Sequence, residues 1–232
     1  MKKSNYCKVM SEDEKIVKYQ RRIGITQEYY RSIPESEVLE ILSKYGMNVP
    51  KVLELYDDYF VEEYIDGTLL DDIYTDYSNI DKIVIDDIIN NIVGLIRIDF
   101  QSLSKYSKWN NVRGFFEYQI LNTEEIWNEY NTSYDVFYNL LGINKSTIFK
   151  LKQLSKKINF NRPLCLIHGD RHKNNMIKKG NQVYYIDWEL GCVGDLAYDI
   201  AFHIHQMKYS EADLKYFLLN LEKRLPYEYK SA

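Results

Sequence analysis

The chain has 232 residues, 45% hydrophobic and 28% charged, with a formal net charge of −4, which is enough to bury a core as one domain or two small lobes. The acidic excess argues against nucleic acid as a partner, since phosphates demand a basic face, and no apolar run approaches the ~20 residues of a membrane span. Lys2 and Lys3 are not followed by an apolar h-region, so no signal peptide is expected, and three widely spaced cysteines (Cys7, Cys165, Cys192) without C-x-x-C suit a reducing cytoplasm.

The chain opens on two predicted strands, Tyr6 to Met10 and Ile16 to Arg22, joined by the polar turn Ser11-Glu12-Asp13-Glu14. Val38, Leu39, Ile41, Leu42 and Tyr45 then recur at helical spacing, with Pro34 where a first turn tolerates it and Gly46 as terminator. Strands follow at Val52 to Tyr56 and Tyr59 to Tyr64, separated by the tight turn Asp57-Asp58, and Asp66-Gly67 ends the second. From about Asp71 the pattern turns helical for most of the next ninety residues. Ile83, Ile85, Ile88, Ile89, Ile92, Val93 and Ile96 suit a buried helix, although β-branched residues lower its intrinsic propensity. Phe115 to Tyr130 and Asp135 to Leu141 read as further helices, and Ala197 to Met207 and Ala212 to Arg224 close the chain in the same way.

Between these helical stretches lies the densest chemical signal. His168-Gly169-Asp170-Arg171-His172-Lys173-Asn174-Asn175 forms an H-x-D-x-x-x-x-N loop, and Asp187 follows on the next apolar run. Phosphoryl transfer needs a carboxylate to orient a hydroxyl, oxygen ligands that hold Mg²⁺ on the phosphates, and charge compensation. Asp170 can accept the hydroxyl proton, and Asn175 and Asp187 offer hard oxygen ligands suited to Mg²⁺. The run Leu164-Cys165-Leu166-Ile167 ends at His168, and Gln182 to Ile186 ends at Asp187. Lys178-Lys179-Gly180-Asn181 between them reads as a hairpin turn, so these two strands should gather Asp170, Asn175 and Asp187 at one end. The plainer reading makes these residues Asx-turn and capping groups. A metallohydrolase reading of His168, Asp170 and His172 lacks further His or Glu at ligand spacing, and His203 and His205 point to different sides of their helix.

The segment Leu166 to Phe202, with HGDRHKNN, IDWE and GDLAYDIAFH, resembles the aminoglycoside phosphotransferase and choline kinase superfamily of small-molecule kinases. The stretches from Glu35 to Leu42 and Gly46 to Leu53 resemble that family's N-terminal lobe, and Phe60-Val61-Glu62-Glu63-Tyr64-Ile65-Asp66-Gly67 is similar to its interlobe hinge. The resemblance implies an α+β, two-lobed, protein-kinase-like fold with a small antiparallel-sheet N-terminal lobe and a larger helical C-terminal lobe. Residues 1–66 would form the nucleotide-binding lobe, shortened against the family, and residues 67–232 the lobe with catalytic loop and acceptor site.

The same resemblance implies a catalytic carboxylate at Asp170, Mg²⁺ ligands at Asn175 and Asp187, and loop-bracing roles for His168 and Asp199. It requires a basic residue on the second strand to pair with a helix carboxylate. Lys18, Arg21 and Arg22 are candidates, and spacing to Glu35 best matches Arg22, with Glu37 as the fallback partner. The backbone of Glu63 and Ile65 should meet the adenine edge. The expected cofactors are ATP or GTP with Mg²⁺.

The acceptor should sit over Asp170, lined by an insert between roughly Trp109 and Tyr138. There Glu117, Glu124, Glu125 and Glu129 alternate with Tyr118, Trp127, Tyr130 and Tyr134, which suits a small cationic, amine-bearing molecule. Transfer of the γ-phosphate to a hydroxyl by direct in-line attack is the expected activity. A nucleotide-binding protein that has lost turnover, and a kinase acting on protein, are the alternatives.

Overall fold

The computed structural model describes residues 15–19, 33–99, 103–107, 109–117, 150, 153–154, 156–158 and 160–230. Strand β1 (Lys15–Tyr19) is followed by helix α1 (Glu35–Lys44), strands β2 (Val52–Leu55) and β3 (Tyr59–Glu63), the two-residue strand β4 (Thr68–Leu69) and the single turn α2 (Leu70–Ile73). Helix α3 (Lys82–Leu95), strands β5 (Cys165–Ile167), β6 (Met176–Lys179), β7 (Gln182–Tyr185) and β8 (Cys192–Gly194), and helices α4 (Leu196–Met207), α5 (Glu211–Arg224) and α6 (Tyr227–Lys230) complete the order. The expected strand Tyr6 to Met10 and the expected helix Asp135 to Leu141 lie outside the described residues.

Contacts divide the chain into two compact units, Met1–Lys108 with Leu164–Leu225, and Trp109–Pro163 with Pro226–Ala232. The second has its own small aromatic cluster: Trp109 meets Phe115 edge to face at 4.8 Å, and Arg113 lies over the Phe160 ring at 4.6 Å. The first unit carries three small antiparallel sheets, ordered β1-β3-β2, β4-β6-β7 and β5-β8.

Helix α1 starts after Pro34, whose φ of −49° suits a helix entrance, and it stops where Gly46 takes φ 71°. Its apolar face puts Val38, Leu39 and Leu42 in the core. Helix α3 is built from residues that are mediocre helix formers alone, so burial must hold it. Ile85, Ile88, Ile89, Ile92 and Leu95 are fully buried at helical spacing, each contributing about 1.5–3 kcal/mol on leaving water. Its polar side is tied to α5, where Asp86 accepts from Arg224 at 2.6 Å and from Tyr216 at 2.9 Å. Lys82 pairs with the buried Asp213 of that helix.

The hairpin that leads into Asp187 differs from the pairing expected for it. β7 pairs with β6 through Lys179↔Gln182 to Met176↔Tyr185, while β5, expected as its partner, pairs with β8. The reason is local: a two-residue turn at Gly180-Asn181 pairs the residues that flank it, and Gly180 takes the φ of 61° such a turn needs. Strand β4 was not anticipated. It lays Thr68 and Leu69 beside Lys178 and Ile177 of β6, and Gly67 makes this approach possible, since a Cβ there would stand 2.6 Å from Ile177 Cγ2 and from the Lys178 carbonyl oxygen. No helix among the described residues is long and apolar enough to cross a membrane.

Candidate active site

The loop after β5 is fixed from below before it presents anything to solvent. His168 is fully buried, its ring against Trp188 at 4.4 Å between centroids. Nε2 lies 3.1 Å from the Ile186 carbonyl and Nδ1 accepts from Asp170 N at 3.3 Å. Those two contacts assign the neutral Nε2–H tautomer. Burial, helped by the Arg171 charge, pushes its pKa down to about 4, which keeps it neutral. With both ring nitrogens occupied it has no lone pair left for a metal, which removes the metallohydrolase arrangement. Gly169 takes φ 81°, and a Cβ on it would sit 2.5 Å from the Leu190 carbonyl oxygen.

Asp199, on the first turn of α4, is the brace. Its Oδ1 accepts from Gly169 N at 2.9 Å, and its Oδ2 from His168 N at 3.3 Å and Arg171 Nε at 3.0 Å. Burial opposes its charge, yet Arg171 and these donors hold its pKa below the ordinary carboxylate value.

Asp170 is half-buried, and its Oδ2 meets His172 Nε2 at 3.3 Å. The hydrogen bond from His172 outweighs burial and lowers its pKa, so the carboxylate is ionised at neutral pH. Asn175, 5% exposed at the end of the 3₁₀ turn Lys173–Asn175, donates Nδ2 to the Asp170 carbonyl at 3.0 Å. That commits its amino group inward, and no described residue donates to its Oδ1. Ile186 N donates to the Asn175 carbonyl at 3.1 Å and its carbonyl meets His168 Nε2, so the residue before Asp187 is bonded to both ends of the loop from His168 to Asn175.

Asp187 adopts φ 62°, an uncommon conformation for a residue with a Cβ, and points Oδ1 at Lys18 Nζ, 3.3 Å away. Lys18 comes from β1, where Ile16 and Lys18 pair with Glu62 and Phe60 of β3 and so share their face of the sheet. Its ammonium meets Glu35 Oε1 at 2.6 Å and Glu62 Oε1 at 3.8 Å. Burial works against its charge, but Glu35, Glu62 and Asp187 together hold its pKa well above the ordinary lysine value. Glu35 Oε1 also accepts Trp188 N at 2.9 Å, joining α1 and β1 to the segment that carries Asp187. Burial pushes the Glu62 carboxyl upward, against the pull of Lys18, and its Oε2 is buried without a partner among the described residues.

Asp170, Asn175, Asp187 and Glu35 are thus drawn into one connected network. Arg22, expected to pair with Glu35, lies outside the described residues; the cation that pairs with Glu35 is Lys18. Glu37, the fallback, is turned away to Lys105 at 3.2 Å. Glu63 ends β3 with its N–H given to the Lys51 carbonyl at 2.9 Å. Ile65 buries its side chain to 2% exposure, and its N–H has no acceptor among the described residues. Of the acidic residues expected to line the acceptor site, Glu117 is described, exposed and 3.7 Å from Arg113; Glu124, Glu125 and Glu129 lie outside the described residues.

Glu62 and Arg171 were not anticipated. The alternation Ile16, Lys18 against Phe60, Glu62 was a readable signal for Glu62, whereas nothing local marks an arginine as buried.

Hard oxygens are what a magnesium ion takes, and the inward-committed amide of Asn175 and the half-exposed carboxylate of Asp187 supply them. Among the described residues no three His, Cys, Asp or Glu side chains gather into a metal cage. Magnesium bound to a nucleotide fits that economy, because phosphates and water complete its shell.

Comparison with known proteins follows the same line. The chain is similar to an ethanolamine kinase of Plasmodium vivax, with TM-score 0.56, 20% identity, and coverage of 92% of this chain and 62% of that one. It is also similar to the macrolide 2′-phosphotransferase MphH of Brachybacterium faecium, with TM-score 0.59 and 13% identity over 94% of this chain and 72% of that one. ADP-bound aminoglycoside phosphotransferase APH(2″)-Ib gives TM-score 0.58 and 19% identity over 90% and 73%. These likenesses establish the α+β, protein-kinase-like fold; the chain spans about three fifths (62%) of the ethanolamine kinase's length. A Protein LicA homolog of Metamycoplasma hominis is 36% identical over 52 residues, which is 22% of this chain and 21% of that protein. The model of the phosphotransferase enzyme family matches residues 20–226, most of the chain, and the protein belongs to that family.

Proposed function

We propose that the protein transfers the γ-phosphate of ATP, with Mg²⁺, to a hydroxyl of a small amine-bearing molecule by direct in-line attack. The observation that carries this reading is the single network joining Lys18 and Glu35 to Asp187, and Asp187 through Ile186 to Asn175 and Asp170. Lys18, held charged and aimed by Glu35, neutralises the nucleotide phosphates. The Glu63 carbonyl and the Ile65 N–H receive the base edge, with residues 1–66 serving as the nucleotide lobe and residues 67–232 as the catalytic and acceptor lobe.

Asp170, ionised and held from two sides, accepts a hydrogen bond from the acceptor hydroxyl and takes its proton as the new P–O bond forms and the bond from the γ-phosphorus to the β–γ bridging oxygen breaks, releasing ADP. Asn175 and Asp187 would hold Mg²⁺, which would supply charge compensation for the phosphates. The buried, unpaired thiols of Cys165 and Cys192 accord with a reducing cytoplasm.

The intact Lys18–Glu35 pair and the ionised Asp170 support turnover over a nucleotide-binding protein without activity. ADP release is measured from Mg·ATP against choline, ethanolamine, aminoglycosides, macrolides and sugars. One acceptor should stimulate it, and Asp170→Asn should lower that rate about 10²–10⁴-fold. An Asp170→Asn protein as active as the parent overturns the assignment of Asp170, and silence with every acceptor overturns the reaction.

A further inference from the structure

We propose that Arg171 is a positioning residue for Asp170, its buried guanidinium locking the catalytic loop to α3, α4 and β7 at once. The proposal rests on reading Asp170 as the catalytic carboxylate, but its test does not require transfer to be observed.

Arg171 and Asp170 are neighbours with opposite fates. Arg171 is fully buried, whereas the Asp170 side chain keeps 31% exposure. The loop therefore turns one side chain to the interior and the next to the reacting side, and whatever fixes the first orients the second. Arg171 Nε donates to Asp199 Oδ2 at 3.0 Å and Nη1 donates to Asn91 Oδ1 of α3 at 3.1 Å. The guanidinium carbon lies 4.6 Å from the centre of the Tyr185 ring on β7, the strand that leads into Asp187.

Asp199 is also the acceptor for the main-chain N–H groups of His168 and Gly169. The two residues before Asp170 and the one after it thus converge on a single carboxylate. Asp170 is the residue between them.

An apolar side chain of the same volume would fill this space without the desolvation cost of a charge. The hydrogen-bonding capacity of Arg171 is not fully met either, because Nη2 is buried with no partner among the described residues. What the guanidinium adds is direction: its planar fork fixes Asp199, Asn91 and the loop in one plane, where an apolar group would permit sliding. A shift of about 1 Å in a reacting group can cost about 10²-fold in rate. An orienting role accounts for this arginine better than net stabilisation does.

His172 reports on Asp170 directly, because it sits 3.3 Å from the carboxylate and its pKa is raised mainly by that hydrogen bond. The chain has four histidines. His168 and His203 are held neutral, with pKa values lowered by burial to about 4 and about 3. Imidazole NMR titration of the full chain above pH 5 is therefore free of His168 and His203, and His172→Gln assigns the His172 signal.

In Arg171→Met the His172 pKa should fall toward the ordinary imidazole value while the protein stays folded, and any transfer rate should fall about 10²-fold. Arg171→Lys keeps the charge without the fork and should give a partial fall; it decides the matter if the methionine variant does not fold. Arg224→Met, which removes a different tie to α3 through Asp86, should lower stability and leave His172 unchanged. A parental His172 titration in the folded Arg171 variants, or an equal fall in Arg224→Met, overturns the proposal.

Discussion

Lys18 and Asp187, 169 positions apart in the chain, meet at 3.3 Å, and that contact closes the site. It gives one ammonium to the helix carboxylate Glu35 and to the candidate metal ligand Asp187 at the same time. On the proposed function Mg²⁺ would take Asp187 and the nucleotide phosphates Lys18, so ligand binding would replace this contact.

Lys18→Met should damage both folding and turnover. It leaves three carboxylates, Glu35, Glu62 and Asp187, around a site without a cation. Removing one partner of a buried pair costs about 3–5 kcal/mol. Denaturant unfolding should show that loss, and ADP release should fall to background. Adding Glu35→Gln should recover part of the stability and none of the turnover, which separates charge repulsion from lost phosphate contacts.

Glu62→Gln should stabilise the protein, and more at pH 8 than at pH 5. Burial raises the folded-state pKa of this carboxyl above its unfolded value. The unfolded chain then loses the proton first as pH rises from the ordinary carboxylate range, so stability falls through that window until the folded carboxyl ionises too. Glutamine removes the dependence. Thermal melts of parent and variant at the two pH values measure it, and equal differences would mean that Glu62 is ionised throughout.

The site was legible where chemistry is compact in sequence and obscure where it depends on packing. Asp170 and Asn175 lie within one loop, and Asp187 follows one hairpin later, so the motif was readable although the strand pairing expected to gather it was not the one found. The basic partner of Glu35 was harder. Lys18 and Arg22 lie on one strand-like run and both are cations; spacing to the helix favoured Arg22, which lies outside the described residues, while the described strand Lys15–Tyr19 brings Lys18 to Glu35. Strand alternation was the better guide, because Lys18 shares its sheet face with Phe60 and Glu62. The pairing of β5 with β8 escaped notice for a different reason: both are three-residue apolar runs, too short for periodicity to distinguish a partner.

Gly67→Ala should destabilise the junction between β4 and the hairpin that leads into Asp187. The added Cβ would lie 2.6 Å from the Lys178 carbonyl oxygen, and a backbone atom cannot turn aside as a side chain can. Overpacking of this kind costs about 1–3 kcal/mol. Hydrogen exchange should show faster opening at Ile177 and Lys178, with the β1-β3-β2 sheet unaffected. Uniform loss across both sheets would show that the junction is not a local unit.

His172 should set the acid limb of the turnover profile. Its imidazole holds Asp170 Oδ2 at 3.3 Å, on the carboxylate that the proposed function gives to the acceptor hydroxyl. That hydrogen bond raises the His172 pKa above its ordinary value. Below it, the imidazolium grips the carboxylate and competes with the hydroxyl; above it, the grip loosens. Turnover should therefore rise as pH climbs through this pKa, and His172→Gln should flatten the rise. Stability runs the other way, since the raised pKa contributes stability that is complete below the unfolded value and lost as pH passes the folded one. Rate and melting temperature measured across pH 5.5–8.5 should move in opposite directions in the parent. Parallel movement of the two would assign the acid limb to unfolding and not to the Asp170–His172 contact.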